Sequence, residues 1–333
     1  MSEPSQAPTA LLMVDIGTPS GADDVLPFLA RVYGDSRALA SPFGGDLHGL
    51  FASFKARLRA PALRRAVSAV GPAPERAGME ALARDVAASL ASDGAPFRGY
   101  VGLRHASPTL AEALALIEAD GCRRVVALHA RPFASRAGSE SIRAELARLG
   151  VERPALDISL LERCDDEPSL RALWGELIQQ ALESVAANER TAAHLLFLLQ
   201  AQPIEGRQDP ALERMRAAGA AVLEGLGSGL SWSVGYLDAI DPTAPLTPTA
   251  REELERVARE KKRTVVAVCA FHFCETLAAR FELDGALAES ARALGIAQLV
   301  RAPALASRPQ LPRALAGFVK AHLAQGQAVR SSG

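Results

Sequence analysis

Short apolar runs alternate with longer amphipathic segments along this chain. Eight apolar runs of strand length lie at residues 10–17, 98–104, 123–130, 155–161, 194–200, 230–237, 263–270 and 298–305. The segments between them repeat apolar residues every three or four positions, at 76–92, 108–121, 168–186, 209–227, 249–260 and 285–295. Parallel strands covered by helices have this pattern. The predicted fold class is therefore α/β.

The alternation starts again after residue 165, which indicates two similar halves. We predict two Rossmann-like lobes, at 10–165 and 166–322, whose parallel sheets face a central cleft. The last helix is predicted to pack back on the first lobe. Ligands of doubly wound sheets bind beyond the carboxyl ends of the strands, so the cleft is the expected place for chemistry. The chain lacks Gly-x-Gly-x-x-Gly after its first strand and lacks a P-loop motif, which disfavours dinucleotide and nucleotide chemistry.

Composition adds three expectations. The net charge is −1 and the basic residues are scattered, so nucleic acid is not an expected partner. The four cysteines include no Cys-x-x-Cys pair, which disfavours a zinc site and favours a reducing compartment. The first nine residues lack the features of a signal peptide, and no apolar run reaches membrane-spanning length. A cytoplasmic location is therefore predicted.

Residues 41–75 interrupt the alternation, with Gly and Pro at the edges and a basic, aromatic-bearing middle. Two interpretations stay open. The segment is either an ordinary surface helix with solvated arginines, or a mobile lip over the cleft with Phe51 and Phe54 on one face. In the second case its cationic side chains would be available to carboxylates or to a lipid surface, which allows at most peripheral membrane contact.

Five segments, in order, resemble segments of the ferrochelatase family, the class II tetrapyrrole metal chelatases. They are LLMVDIGTPSGADDVLPFLARVYGDSRAL at 11–39, VGLRHASPTL and its continuation at 101–141, PSLRALWGELIQQAL at 168–182, LLFLLQAQPIEGRQDPALERM at 195–215 and VVAVCAFHFCETLAARFELD at 265–284. The resemblance covers about residues 10–322. The order and spacing of the segments are more specific than any one motif, and the chain is identified as a divergent member.

The resemblance implies two chelatase-type lobes with a porphyrin bound between them, and insertion of Fe²⁺ into that porphyrin as a step of heme biosynthesis. Porphyrin and Fe²⁺ would then be substrates or ligands, and no permanently bound cofactor is expected. Some family members hold an iron–sulfur cluster, but the cysteine spacing here does not match theirs, so none is predicted.

The resemblance also places the family's catalytic positions. Alignment on Phe197 and Pro203 puts Gln200 where the family has its catalytic histidine, and an amide cannot take up a proton near neutral pH. Glu275 aligns with the family's cleft glutamate. His272 lies three residues earlier, so on a helical turn the two would share a face and could bind a metal together. The alternative is a structural histidine at a strand end and a carboxylate near a helix dipole.

Four further residues are candidates for tetrapyrrole binding. Arg104 follows a strand where the family's arginine lies near the cleft, so it could contact a propionate; the alternative is an ion pair with a neighbouring helix. His105 occupies the family's tyrosine position, and His129 ends another strand of the first lobe. Tyr236 lies on the strand at 230–237. For either histidine alone, a structural role is the competing interpretation.

Two functional hypotheses follow. The first is a ferrochelatase-type lyase whose Fe²⁺ insertion is impaired, or rebuilt around other residues, because Gln200 replaces the histidine. The second is a pseudoenzyme that binds heme or a porphyrin without catalysis, or that acts as a regulatory partner of a true ferrochelatase or another heme-pathway protein. The chemistry of the cleft should discriminate between them.

Overall fold

The computed structural model describes residues 7–37, 45–92, 96–200, 210–237 and 246–331, and it contains two four-stranded parallel sheets. The first has the order β2-β1-β3-β4, and the second has the order β6-β5-β7-β8. The strands are β1 (Thr9–Asp15), β2 (Phe97–Leu103), β3 (Arg124–His129), β4 (Asp157–Leu161), β5 (His194–Gln200), β6 (Ser231–Leu237), β7 (Thr264–Cys269) and β8 (Gln298–Arg301). Each lies within or beside one of the eight predicted runs, and the α/β fold class with two lobes is confirmed.

Helices cover both sheets. Those of the first half are α1 (Val25–Gly34), α2 (Gly45–Val70), α3 (Pro74–Ala91), α4 (Leu110–Ala119) and α5 (Ser141–Glu152), the last preceded by a π-helical turn at Arg136–Glu140. The second half has α6 (Pro168–Glu183), α7 (Ala187–Arg190), α8 (Pro210–Gly225), α9 (Ala250–Arg259), a π-helical segment at Ala279–Leu287 that continues into α10 (Ala288–Ala293), a short 3₁₀ turn at Leu305–Ser307 and α11 (Leu311–Ser331).

The two halves repeat each other locally as well as in strand order. After β2, Thr109 and Glu112 form a capping box at the start of α4, in which each side chain bonds the other residue's backbone N–H. After β6, Thr249 and Glu252 form the same box at the start of α9. The predicted boundary at residue 165 falls between β4 and α6, and α11 packs against α3 and α6.

The central strands of the two sheets are buried along most of their length. Leu11, Leu12 and Met13 on β1, and Leu196 and Phe197 on β5, have no exposed surface. Because both sides of each strand are covered by helices, the strands read as continuous apolar runs and not as alternating ones.

The carboxyl ends of the strands bring distant residues together. Asp15, His129 and Gln200 are the last residues of β1, β3 and β5. Helix α3 leads into β2, so its C-terminal end lies near the amino edge of the first sheet and its first turn lies near the carboxyl edge. That geometry places Glu75, in the first turn of α3, on the same side as the strand ends.

Candidate functional site

A cavity of about 400 Å³ lies between the two lobes, beyond the carboxyl ends of their strands. Its walls come from the turn after β1, from α1, α2 and the start of α3, from the end of β5 and β6, and from the segment around the second π-helical stretch. Most of the lining is apolar. The polar and charged lining residues include Arg59, Glu75, Arg131, Gln200 and Arg251. A mostly apolar pocket of this size with a few polar groups is typical of a small-molecule site.

A buried ion pair and an amide form the polar floor of this cavity. The Arg131 guanidinium donates through Nε to Asp15 Oδ1 at 2.6 Å and through its second nitrogen to Asp15 Oδ2 at 3.3 Å. Its remaining nitrogen donates to Gln200 Oε1 at 2.9 Å. The first lobe thereby holds the end of β5 from the second lobe by a charge-assisted hydrogen bond.

The charge of Asp15 is stabilised in spite of its burial. Burial by itself raises the pKa of the Asp15 carboxyl, but the Arg131 charge and hydrogen bonds, with a smaller contribution from His272, hold that pKa below its usual range. The carboxylate is therefore ionised at neutral pH, and Gln200 has no proton to exchange. The floor of the cavity has a fixed charge state around pH 7.

His129 and His272 are buried beside this ion pair. The Nδ1 atom of each ring accepts a backbone N–H, from Arg131 at 3.1 Å and from Cys274 at 3.0 Å, which leaves the hydrogen on Nε2 in the neutral ring. The Nε2 atom of His272 lies 3.7 Å from Asp15 Oδ2. Burial lowers the pKa of both imidazoles to about 4, so both are neutral at pH 7.

The predicted pair of His272 and Glu275 is not on a helical turn. Residues 271–276 form bends and irregular backbone, and helical structure begins at Leu277, so the expectation of a shared helical face is wrong. Glu275 Oε2 instead accepts a hydrogen bond from Arg301 at 2.9 Å and lies 3.7 Å from Arg280. Neither His272 nor Glu275 is among the described residues that line the cavity, and their role as metal ligands stays a prediction.

Across the described ranges, no group of three or more His, Cys, Asp or Glu side chains is arranged to hold a metal ion.

Arg104 and His105 belong to a separate polar cluster. Arg104 lies 3.1 Å from Asp35 and donates to Ser141 Oγ at 3.0 Å, while a second carboxylate, Glu145 of α5, lies 3.9 Å away. His105 Nε2 lies 3.6 Å from the same Asp35 carboxylate. Neither residue is among the described residues that line the cavity, and the contacts of Arg104 match the ion-pair alternative. Tyr236, in contrast, lines the cavity with Gln200. Direct ligand contact by these residues and by His129 stays a prediction.

Glu75 is a cavity residue that the sequence pattern does not single out. Its side chain lies in the lining, its residue is only 6% exposed, and its Oε1 accepts the backbone N–H of Leu277 at 2.6 Å. Burial raises the pKa of the Glu75 carboxyl to about 7. The available signal was only an acidic residue in the first turn of a helix, which is common at helix N-termini.

The segment that interrupts the sequence pattern contains one long helix, α2, over the cavity. Arg59, Ala62 and Leu63 of α2 line the cavity. Phe51 packs against the core, whereas Phe54, three positions later on the same helix, is 66% exposed. The exposed large side chains Leu47, Leu50, Phe54 and Leu58 follow the outer side of α2. None of the helices in the described part of the chain has the length and hydrophobicity needed to cross a membrane.

Comparison with known proteins defines the class. The ferrochelatase family model matches residues 8–323. The ferrochelatase of Geotalea daltonii is 29% identical over 96% of this chain and 99% of its own length. The mitochondrial ferrochelatase of Xenopus laevis is 25% identical over 95% of this chain and 78% of its own length. The chain belongs to the ferrochelatase family.

Solved structures agree on the fold. SirB from Bacillus subtilis, with Fe³⁺, superposes with a TM-score of 0.56 at 12% identity, over 96% of this chain and 98% of SirB. CbiX, described as the terminal enzyme of siroheme biosynthesis in denitrifying bacteria, gives a TM-score of 0.50 at 18% identity, over 94% of this chain and 98% of CbiX. At these identities the likeness is evidence for the two-lobed fold alone.

Proposed function

We propose that this protein is a ferrochelatase-type chelatase of heme biosynthesis, which binds a porphyrin in the cavity between its lobes and inserts Fe²⁺. The observation that carries the proposal is the position of Gln200. Gln200, which the resemblance aligns with the family's catalytic histidine, lies at the polar floor of an apolar cavity that both lobes form.

The charges around the cavity suit a porphyrin. Arg59 on α2 and Arg251 at the start of α9 line the cavity, and their guanidinium groups are able to pair with the carboxylate side groups of the macrocycle. The apolar lining residues, which include Phe28, Leu63 and Phe281, suit its flat hydrophobic faces. These arginines and apolar residues support the proposal that a porphyrin binds in the cavity.

On this proposal, the residue at position 200 cannot be the base for metal insertion. Insertion of a divalent metal displaces two protons from the pyrrole nitrogens, so a base is needed. Gln200 cannot act as that base, and the guanidinium of Arg131, which is already bonded to the Gln200 amide, cannot either. Metal insertion must then either be slow or use another titratable group in the cavity.

A second candidate function is supported by the same contacts. Arg131 holds the amide of Gln200, and the predicted metal pair of His272 and Glu275 is outside the described cavity lining. Such a cavity suits a protein that binds heme or a porphyrin without turnover, including a regulatory partner of an active ferrochelatase.

The test is anaerobic mixing of the purified protein with a porphyrin, and then with Fe²⁺ or Co²⁺, while the Soret band is followed. The chelatase proposal expects a binding shift followed by conversion to the metalloporphyrin spectrum. A binding shift without conversion would leave the non-catalytic function in its place. The absence of any shift would contradict both.

A matched pair of variants locates the binding site. Ala62 lines the cavity from α2, whereas Ala69 lies on the exposed side of the same helix. Ala62→Trp should fill part of the cavity and weaken porphyrin binding at least tenfold, whereas Ala69→Trp should bind like the wild type. Equal affinities for the two variants would place the porphyrin elsewhere.

A further inference from the structure

Glu75 is held against the second lobe at the wall of the cavity. The start of α3 is tightly packed there, since a Cβ atom on Gly78, one turn after Pro74, would lie 2.8 Å from Cys274 Cβ. Glu75 Oε1 accepts the Leu277 N–H, a contact across 202 positions of the chain. The carboxyl group is therefore fixed in place by backbone packing and by one short hydrogen bond.

The two oxygens of Glu75 are in different situations. Oε1 is used by Leu277, while Oε2 is buried and has no hydrogen-bond partner among the described residues. A buried carboxylate oxygen without a donor is costly, because it has lost water and gained nothing in return. A bound ligand with an N–H group would supply the missing donor.

The groups that surround Glu75 bring the pKa of its carboxyl close to neutral pH. Burial raises its pKa to about 7 and the anion of Asp15 acts in the same direction, while the Leu277 N–H and the Arg131 cation oppose the increase. Cys274, also nearby, is not a competing base, because burial raises the pKa of its thiol to about 12. A carboxyl group with these neighbours is present in both protonation states at physiological pH.

We propose that Glu75 is the proton acceptor of this cavity and takes the pyrrole protons of the bound tetrapyrrole, the task that Gln200 cannot perform. This inference rests on the proposed chelatase function. In each transfer, an N–H bond of the macrocycle breaks and its electron pair stays on nitrogen, while a new O–H bond forms on the Glu75 carboxylate. The carboxylic acid then releases its proton to solvent before the second transfer. The two nitrogens that lose protons bind the incoming divalent metal.

The decisive variant is Glu75→Gln, because the glutamine keeps an oxygen for the Leu277 N–H and loses only the titratable group. Its rate of metal insertion should fall about 100-fold or more, in the range expected for loss of a general base. Its porphyrin affinity should stay within a few-fold of the wild type. Glu80→Gln, on the exposed side of the same helix, is the matched control and should keep the wild-type rate.

The pH profile distinguishes a base from a structural support. The wild-type insertion rate should rise with pH and level off above about 7, as Glu75 loses its proton. Glu75→Gln should lack that rise at every pH, whereas a merely structural effect would lower the rate and keep the profile. Glu282, another carboxylate residue in the lining, should be tested alongside. Loss of the rise in Glu282→Gln, with its retention in Glu75→Gln, would overturn the assignment.

Failure of the inference can be told apart from failure of the function. An active wild type with an equally active Glu75→Gln variant would overturn the inference and leave the chelatase function intact. An inactive wild type would overturn the function. Infrared spectroscopy tests the group itself without turnover: a carboxyl band absent from Glu75→Gln should titrate near pH 7. Titration of that band at the pH of an ordinary glutamate would overturn the inference whatever the activity.

Discussion

The burial of Glu75 has a measurable effect on stability that needs no ligand. In the unfolded chain this carboxyl titrates near its ordinary value of 4.5, and in the folded protein it titrates at about 7. Between these values the folded state holds a proton that the unfolded state has released. The free energy of unfolding therefore falls as pH rises through this window, because ionising the buried group opposes folding.

The size of the effect follows from the same pKa change. At about 1.4 kcal/mol per pH unit, raising the pKa from 4.5 to about 7 makes the folded protein less stable by about 3 kcal/mol at pH 8–9 than it would be with an unshifted carboxyl. Glu75→Gln removes the ionisation and keeps an acceptor for Leu277. The variant should match the wild type near pH 4.5 and exceed its free energy of unfolding by up to about 3 kcal/mol at pH 8–9.

Urea unfolding followed by circular dichroism, at several values between pH 4.5 and 9, measures this difference. Glu80→Gln is the control and should change the free energy of unfolding by less than about 1 kcal/mol, since Glu80 is about half exposed and forms only a surface ion pair with Arg76. A difference between Glu75→Gln and wild type that is constant with pH would refute the reasoning, because it would mean that Glu75 titrates alike in the folded and unfolded states.

Two other changes test the floor of the cavity. Asp15→Asn should lower the free energy of unfolding by about 3–5 kcal/mol near pH 7, because it leaves the buried Arg131 charge unpaired; urea unfolding measures this change. Asp35→Asn alters the separate cluster with Arg104 and should leave porphyrin affinity unchanged. Gln200→His should raise the rate of metal insertion. Its pH profile should be shifted to low pH, because the neighbouring Arg131 cation opposes protonation of the new imidazole. An unchanged rate would mean that the lack of a base at position 200 does not limit the reaction.

The local pattern of apolar residues was sufficient to predict the strands of both sheets and the position of Gln200 at the end of one of them. Buried parallel strands need continuous apolar runs, so all eight runs were visible, and a residue that ends a central strand of a doubly wound sheet must lie near the cleft. The expectation for His272 and Glu275 was wrong in its geometry because three-residue spacing says nothing about where a helix begins. Here the helix begins at Leu277, and Glu275 pairs with Arg301 instead.

The cavity contacts could not be predicted in the same way, because they join residues that are far apart in the chain. Arg131 meets Asp15 across 116 positions and Gln200 across 69, and Glu75 meets Leu277 across 202. The periodicity of apolar residues cannot predict contacts between residues so far apart in the chain. In the sequence, a carboxylate in the first turn of a helix has the same pattern whether it is solvated or buried. Only the packing of the second lobe against α3 raises the pKa of Glu75 to about 7.

If Glu75 is the base, as proposed, the contacts of Arg131 account for a neutral side chain at position 200. A cation bonded to both Asp15 and the side chain at position 200 favours a neutral acceptor at that position, and an amide oxygen is a better permanent partner for a guanidinium than an imidazole that must repeatedly gain a proton. In the proposed mechanism, Gln200 links the two lobes through its hydrogen bond with Arg131, and proton exchange uses a group that Arg131 does not bond. Among the described lining residues, Glu75 has the burial, the free oxygen and the pKa for that exchange, which is why its replacement by glutamine separates the chemistry of this cavity from its architecture.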